Sequence, residues 1–187
     1  MIAVPAAPDP ALMRWLTAIP AVRCVSPAFR PWTGAPDTFS ISATPVALER
    51  FARFGFAGNV IAGMTYVAGR GAGGEAYFLA RVPSANAVVM HAGSEAEEDD
   101  FTAVVAGVTG APRALATLGA APRLGGGLGL GSTRADVEFA LGRALPKTGC
   151  GFDVVRYVPR PAEESEAELW IIYHAGRVVA FARHEAV

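Results

Sequence analysis

The last third of the chain, residues 127–187, most constrains the fold, because signals for one helix and three strands follow one another there. Thr133 stands three residues before Asp136, a spacing at which two side chains cap the first turn of a helix. The apolar side chains that follow keep helical spacing as far as Leu141, and Gly142 ends the pattern. The sequence therefore predicts a short helix from Thr133 to Leu141.

Three runs typical of β-strands complete this part of the chain. A polar loop that contains two prolines separates the first from the second, and Ala175-Gly176 has the composition of a tight hairpin turn. The predicted strands cover residues 151–158, 168–174 and 177–183. We expect them to form an antiparallel meander against which the helix packs.

The first half of the chain repeats this order of signals. Thr44 is the predicted cap and Pro45 the first residue of a helix that ends at Phe54. Strand-like runs follow at residues 58–68, 75–82 and 87–91, then at 101–106. The predicted fold class is α+β, with short helices packed on antiparallel β-meander sheets. The two halves are interpreted as pseudo-repeated modules of one helix and three strands, although any helix-plus-meander fold has this order of elements.

The predicted domain organisation is a single domain over residues 1–187, with sub-modules at 37–118 and 127–187 and an N-terminal wrap at 1–36. Within the wrap, Asp9 and Pro10 open a short helix. The density of proline from residue 20 to 36 predicts irregular chain, apart from a brief strand at 22–25, with Phe29 and Trp32 as apolar anchors. A further short helix is predicted at 111–118.

Composition excludes several classes of protein. Hydrophobic residues make up 52% of the chain and charged residues 18%, which is typical of a folded core and not of a disordered chain. The net charge of -1 offers no basic surface for nucleic acid, which is not expected as a partner. No apolar run reaches the length of a transmembrane helix. The first residues, interrupted by three prolines and Asp9, do not form a signal peptide as they stand.

The two cysteines, Cys24 and Cys150, allow two interpretations. They are either two buried thiols or one disulfide that ties the N-terminal wrap to the C-terminal module. In the chain-entropy description, a bridge across so long a loop adds roughly 4 kcal/mol to the free energy of unfolding. The disulfide would indicate an oxidising compartment and therefore export, whereas two free thiols would fit the cytoplasm. The sequence leaves both locations open.

The segment from Gly129 to Gly142, with Thr133 and Asp136 at the helix start, resembles the helix of the BamE/SmpA-like family of small bacterial envelope proteins. The terminal hairpin, with Gly176-Arg177-Val178-Val179 after its turn, is similar to the ending of that family. The resemblance implies a helix packed on an antiparallel sheet, a periplasmic setting and a non-catalytic role in binding proteins. The β-lactamase-inhibitor-protein fold consists of two such modules, which fits the interpretation as a repeat.

The motifs associated with catalysis or cofactors are incomplete. The glycine-rich run before Thr133 has no lysine after it and no clear strand before it, which argues against nucleotide and dinucleotide loops. His91, His174 and His184 have no metal-ligand spacing and are expected at the surface or at strand ends. Cys150 lacks a local group that would activate its thiol. We therefore predict no catalytic residues, no cofactor and no metal site, and a protein that is not an enzyme.

Two features suggest a surface for a protein partner. An acidic run from Glu95 to Asp100 predicts a solvated loop or a contact patch. The strand at 168–174 is apolar on both faces, so either it is covered on both sides or one face is an exposed contact surface. The candidate partner residues are Glu95, Glu97, Glu98, Asp99, Asp100, Trp170 and Ile172.

The leading functional hypothesis is a non-catalytic, exported envelope protein that binds a protein partner. One alternative is a cytosolic small-molecule-binding protein or enzyme with a cleft between the two halves. Another is a secreted enzyme inhibitor of the two-module type.

Overall fold

The structure is a computed structural model that describes residues 9–34, 39–56, 66–70, 76–94, 99–112, 115–161 and 166–186. Within these ranges the chain is an α+β protein whose strands all belong to one mixed sheet. The strands are β1 (Ala43–Ala47), β2 (Tyr66–Arg70), β3 (Ala76–Val82), β4 (Ala87–Ser94), β5 (Asp99–Ala106), β6 (Ala116–Thr117), β7 (Lys147–Gly149), β8 (Phe152–Arg160), β9 (Glu168–His174) and β10 (Arg177–Ala186). The helices are α1 (Pro10–Ala18), α2 (Pro20–Cys24), α3 (Arg30–Thr33), α4 (Leu48–Ala52) and α5 (Arg134–Leu141).

Two antiparallel meanders meet at the centre of this sheet. The strand order is β1-β8-β9-β10-β5-β4-β3-β2, with β7 paired to β8 and β6 paired to β3. Strands β10 and β5 pair from Ala180 opposite Val105 to Ala186 opposite Asp99. The two halves of the chain therefore share one hydrogen-bonded sheet. One of the alternative hypotheses placed a cleft between the halves, and the structure has the paired strands β5 and β10 at that junction.

The predicted C-terminal meander is confirmed. Strand β9 has the predicted bounds, β8 begins one residue and ends two residues later than predicted, and β10 ends three residues later. Ala175 and Gly176 form the tight turn with φ of 49° and 75°. Two positive φ values in succession suit the right-handed twist of a two-residue hairpin, which explains the glycine.

The N-terminal wrap is helical, and the predictions of irregular chain and of a strand at 22–25 are wrong. Asp9 caps α1 by accepting a hydrogen bond from the amide of Ala11 at 2.8 Å, as expected. Prolines then stand in the first turns of α2, of the 3₁₀ helix Ser26–Phe29 and of α3. A first-turn residue needs no amide hydrogen within the helix, so these prolines start helices and do not break them.

The N-terminal helices cover one face of the sheet. Phe29 and Trp32 are buried, as predicted, in an apolar cluster with side chains from the central strands. Sheet residues in this cluster include Met90, Trp170 and Ile172. The cluster forms the first of two cores, one on each side of the sheet.

The other face of the sheet is covered by α4, α5 and the glycine-rich segment between residues 119 and 131. Phe51 and Phe54 from the α4 region and Val137 and Leu141 from α5 pack on this face. The opposite-facing residues of β9, including Tyr173, complete the second core. Strand β9 is therefore covered on both sides, in agreement with the first of the two interpretations of its apolar sequence.

Two other element predictions are corrected. Thr44 and Pro45 lie in β1, which pairs in parallel with β8, and the helix begins later, at Leu48. Because β1 is the outermost strand beside β8, Pro45 is tolerated in it. In the region of the helix predicted at 111–118, the structure has β6, which pairs in parallel with β3 at Ala80 and Arg81.

None of the helices that the structure describes combines the length and the apolar character needed to cross a bilayer.

Candidate functional site

The most unusual surface feature is a large apolar side chain on the outer side of α5. Phe139 is 88% exposed, whereas its helix neighbours Val137 and Leu141 are buried against the sheet. Leu145, shortly after the helix, is also 88% exposed. Single exposed apolar residues are common, and only their combination with neighbouring groups marks an interaction surface. What lies next to Phe139 is therefore of functional interest.

Phe139 lines a groove between α4 and α5. The groove has a volume of about 630 Å³. Its lining combines an apolar floor with a charged rim, and consists of Arg50, Arg53, Phe54, Gly126, Gly127, Leu128, Ser132, Asp136, Phe139 and Ala140. We call this feature the α4–α5 groove.

The glycine-rich segment sets the distance between the groove and α4. The amide of Gly125 donates to the carbonyl of Gly55 at 2.8 Å, and a Cβ atom at Gly125 would overlap the carbonyl oxygen of Arg53. A Cβ at Gly126 would lie 3.2 Å from the ring of Phe54. The glycines interpreted from the sequence as linker and cap are thus a packing surface for the end of α4.

The start of α5 is fixed by the predicted capping box. The Asp136 carboxylate accepts hydrogen bonds from the amide and the hydroxyl of Thr133, at 2.8 and 2.7 Å, and the Thr133 hydroxyl accepts from the Asp136 amide at 3.1 Å. These hydrogen bonds from Thr133 lower the pKa of Asp136. The Asp136 carboxylate in the groove lining is therefore ionised at neutral pH and already bound to the helix start.

The two arginines give the opposite rim a positive charge. The Arg50 guanidinium donates to the carbonyl oxygen of Phe139 at 3.0 Å and so connects α4 to α5. Both Arg50 and Arg53 are exposed. In the part of the chain that the structure describes, neither arginine has an ion-pair partner. The groove thus offers two cations beside an exposed aromatic ring.

His91 lies elsewhere, in the sheet face beneath α4, and the expectation of a surface or strand-end position is wrong for it. Its side chain is only 5% exposed. Its Nδ1 lies 2.9 Å from the hydroxyl oxygen of Thr102 and 3.3 Å from a carboxylate oxygen of Asp100. Burial lowers the pKa of His91, and the charge of Asp100 opposes that effect.

Arg183 on β10 lies directly opposite Thr102 on the neighbouring strand β5. Its guanidinium forms an ion pair with Glu185 and donates to the carbonyl oxygen of Phe54 at 2.8 Å. Its charged group lies over the ring of Phe51, 4.7 Å from the ring centre. These contacts hold the end of α4 on the sheet, so we assign Arg183 a structural role beneath the groove.

The predicted partner surface is not assembled as expected. Glu95, Glu97 and Glu98 lie outside the described residues. Asp99 begins β5, and Asp100 is exposed beside His91. Trp170 and Ile172 are 4% and 0% exposed, because the N-terminal helices cover their face of β9. The proposal that these two residues form an exposed contact surface is therefore wrong.

Cys24 and Cys150 form a disulfide, with their Cα atoms 6.0 Å apart. Cys150 is thus unavailable as a nucleophile. His174, near it in space, has Nδ1 3.2 Å from the carbonyl oxygen of Gly151. Among the residues with described positions, no three His, Cys, Asp or Glu side chains are grouped as metal ligands would be.

No protein-family model matches the chain, and no match was found among curated proteins or among solved structures. The protein is defined here by its class, an α+β domain with a mixed sheet covered on both faces. The chemistry of the α4–α5 groove is the basis for a functional assignment.

Sequence reasoning did not identify this groove. Its two sides come from helices about 90 residues apart, and the sequence does not show which faces of short helices meet. A local signal for Phe139 was present, because it falls outside the buried stripe formed by Val137, Ala140 and Leu141. Contact between α4 and the glycine segment could not be inferred without tertiary structure.

Proposed function

We propose that this protein is a non-catalytic, exported domain that binds another protein through the α4–α5 groove. The observation that carries the proposal is the almost fully exposed ring of Phe139 beside Arg50 and Arg53, for which the described residues supply no ion-pair partner. Aromatic and arginine side chains are enriched among the residues that contribute most to binding energy at protein interfaces.

The composition of the groove indicates the chemistry of the partner segment. An apolar side chain of the partner would pack against Phe139 and Leu128, and a neighbouring carboxylate would face Arg50 and Arg53. Paired charges at the rim mainly increase the association rate and select the orientation, whereas the desolvated aromatic contact provides most of the affinity. The expected ligand is therefore a protein segment in which an acidic residue stands beside an apolar one.

Two observations support the exported location. A disulfide between Cys24 and Cys150 is stable in oxidising compartments and rare in the cytosol. The capped helix and the terminal hairpin also resemble those of the BamE/SmpA-like envelope family, which implies a periplasmic, protein-binding role. The alternatives of a cytosolic small-molecule-binding protein or enzyme, or a secreted inhibitor, have no specific contact of the described residues in their favour.

Site-specific photo-crosslinking in the host tests the proposal. A photoreactive residue is introduced at Ala135, which is exposed on α5, and adducts are identified by mass spectrometry. We expect one recurrent partner protein, lost when Arg53→Glu cancels the positive charge of the rim and retained in the matched control Arg23→Glu on α2. Adducts insensitive to Arg53→Glu, or a crosslink only to a second copy of the chain, would contradict the proposal.

With the identified partner purified, Phe139→Ala should weaken binding at least tenfold, because a central aromatic contact contributes more than about 1.4 kcal/mol. The variant should keep the wild-type unfolding midpoint, since the ring is exposed. Leu145→Ala is the matched exposed apolar control and should bind as the wild type does. Calorimetric titration measures the affinities; equal affinities for Phe139→Ala and wild type would rule out the groove.

The location is tested separately by fractionating the host and alkylating the protein with and without reduction. Protein in the periplasmic fraction with both thiols blocked before reduction supports export. Free thiols at Cys24 and Cys150 in a cytoplasmic fraction would contradict it.

A further inference from the structure

The disulfide between Cys24 and Cys150 joins two unlike parts of the fold. Cys24 is the last residue of α2, and Cys150 stands in the tight turn between β7 and β8. Cys150 has a φ of 52° and Gly151 a φ of 82°, which is the left-handed backbone of a two-residue hairpin turn. The bond therefore connects the end of a packed helix to the apex of a hairpin.

The two cysteines differ in how open they are to solvent. Cys150 and its neighbour Gly151 are exposed, and a Cβ atom at Gly151 would meet no described atom within 4 Å beyond its chain neighbours. Cys24 is only partly exposed and packs against the apolar cluster of the first core, and the next residue, Val25, is fully buried. A molecule that approaches from solvent thus reaches Cys150 more easily than Cys24.

The chemistry of thiol–disulfide exchange turns this difference into a choice between the two sulfur atoms. A thiolate attacks one sulfur of a disulfide in line with the S–S bond and expels the other sulfur. The attacking thiolate must therefore enter from the side of its target that faces away from the leaving sulfur. At Cys150 the neighbouring chain is the exposed turn, whereas at Cys24 it is α2 and the first core.

We propose that Cys150 is the residue through which the folded protein exchanges its disulfide with a dithiol oxidoreductase. A thiolate of the oxidoreductase attacks Sγ of Cys150, the S–S bond of the chain breaks, and Sγ of Cys24 leaves with the electron pair and takes a proton from water. The second thiol of the oxidoreductase then loses its proton and attacks the oxidoreductase sulfur of the mixed disulfide, which releases Cys150 as a thiolate that is protonated in turn. The disulfide of the chain is reduced, and the oxidoreductase dithiol is oxidised to a disulfide.

The position of Cys24 indicates why the reductant is a dithiol. In the mixed disulfide Cys24 stays beside Cys150, because the buried side chains of Ala21 and Val22 hold α2 on the sheet. The Cys24 thiolate therefore re-attacks Cys150 at a high effective concentration and expels a monothiol. A second thiol carried on the same reductant molecule competes with this return step.

Exchange with glutathione, a monothiol, identifies the attacked sulfur. The oxidised, folded protein is mixed with glutathione, free thiols are blocked with N-ethylmaleimide after short times, and the two cysteine-containing peptides are analysed by mass spectrometry. We expect glutathione on Cys150 and the maleimide on Cys24, with at least about a tenfold excess over the opposite pattern, because access selects the sulfur. The same exchange in concentrated urea, where both cysteines are exposed, is the matched control and should give the two patterns in similar amounts.

A matched pair of variants gives a second measurement. In folded Cys24→Ser the free Cys150 should react with N-ethylmaleimide at least about tenfold faster than Cys24 does in folded Cys150→Ser, and the two rates should become similar in urea. Both variants lack the disulfide, so they share its loss of stability; if they fail to fold, the exchange with the wild-type protein still decides.

The preference for a dithiol is tested at equal thiol concentration. Dithiothreitol should reduce the folded protein, whereas glutathione should leave most molecules oxidised, with a mixed disulfide that persists longer in urea than in the folded state. Three results would overturn the proposal: glutathione mainly on Cys24 of the folded protein, the same mixture of patterns with and without urea, or no exchange until the protein unfolds.

Discussion

His91 shows how position in the sheet determines the behaviour of a single residue. Its ring is enclosed by strands β3 to β5, 5.9 Å from the ring of Phe78 by centroids, and its Nδ1 contacts Thr102. In this environment the protonated imidazole is disfavoured, and the nearby Asp100 charge compensates in part. The folded chain consequently resists protonation at a pH where the unfolded chain accepts a proton.

This difference predicts a pH dependence of stability. An unfolded histidine titrates at about pH 6.5, and the pKa of folded His91 lies lower, so the free energy of unfolding should decrease as the pH falls through that value. In His91→Gln this contribution is absent, so its stability relative to wild type should improve between pH 7.5 and 5.5. Urea unfolding across this range measures it.

Asp100→Asn provides the matched comparison. It removes the charge that raises the pKa of His91, so the loss of stability at low pH should extend further than in wild type. A constant difference between His91→Gln and wild type across the range would show that burial of His91 does not govern the effect.

For single residues, the sequence predicted helix caps well and the solvent exposure of side chains less well. Asp9, Thr133 and Asp136 were predicted correctly because a cap and its partner are only a few residues apart. Trp170 and Ile172 were interpreted wrongly as a partner surface. What covers them, the helices of residues 10–33, is more than 130 residues away in the chain.

At the scale of helices and strands, the effect of a proline on the structure depends on its position within the element. A proline in the first turn is compatible with a helix, whereas a proline in the interior breaks it. The number of prolines between Pro20 and Thr33 does not show which of these positions each one occupies, so the helices there could not be predicted from composition. The parallel pairing of β1 with β8 likewise escaped prediction. It joins residues more than 100 apart, and no local pattern encodes it.

The contact between the glycine segment and α4 gives a prediction at this scale. Gly125→Ala should lower the free energy of unfolding by about 1 to 3 kcal/mol or more, because the added methyl group overlaps the backbone of Arg53 and forces α4 away. Gly119→Ala is the matched control: its Cβ would meet nothing within 4 Å, and its backbone is not left-handed. Thermal and urea unfolding compare the variants; equal stability would show that the contact is not tight.

The whole molecule is organised by one sheet, two covering layers and one disulfide. The fold class could be predicted because helical and strand periodicities are local, and the meander order followed from short turns. The way the halves join could not be predicted, because β5 and β10 pair across more than 70 residues. Whether the halves are true repeats stays a prediction.

The disulfide predicts a large change in stability on reduction. Its cysteines are 126 residues apart, and closing so long a loop restricts the unfolded chain, so reduction should lower the free energy of unfolding by about 4 to 5 kcal/mol. Urea unfolding with and without a reductant measures this. The double variant Cys24→Ala with Cys150→Ala should show the reduced stability in both conditions. An unchanged unfolding midpoint for the reduced wild type would contradict the expectation.

The disulfide between Cys24 and Cys150 also determines what a single proteolytic cut produces. A single cut anywhere from residue 25 to residue 149 leaves two fragments that remain covalently linked. The nicked product would keep the mass of the intact chain apart from one added water, and it would separate into two bands only on a reducing gel.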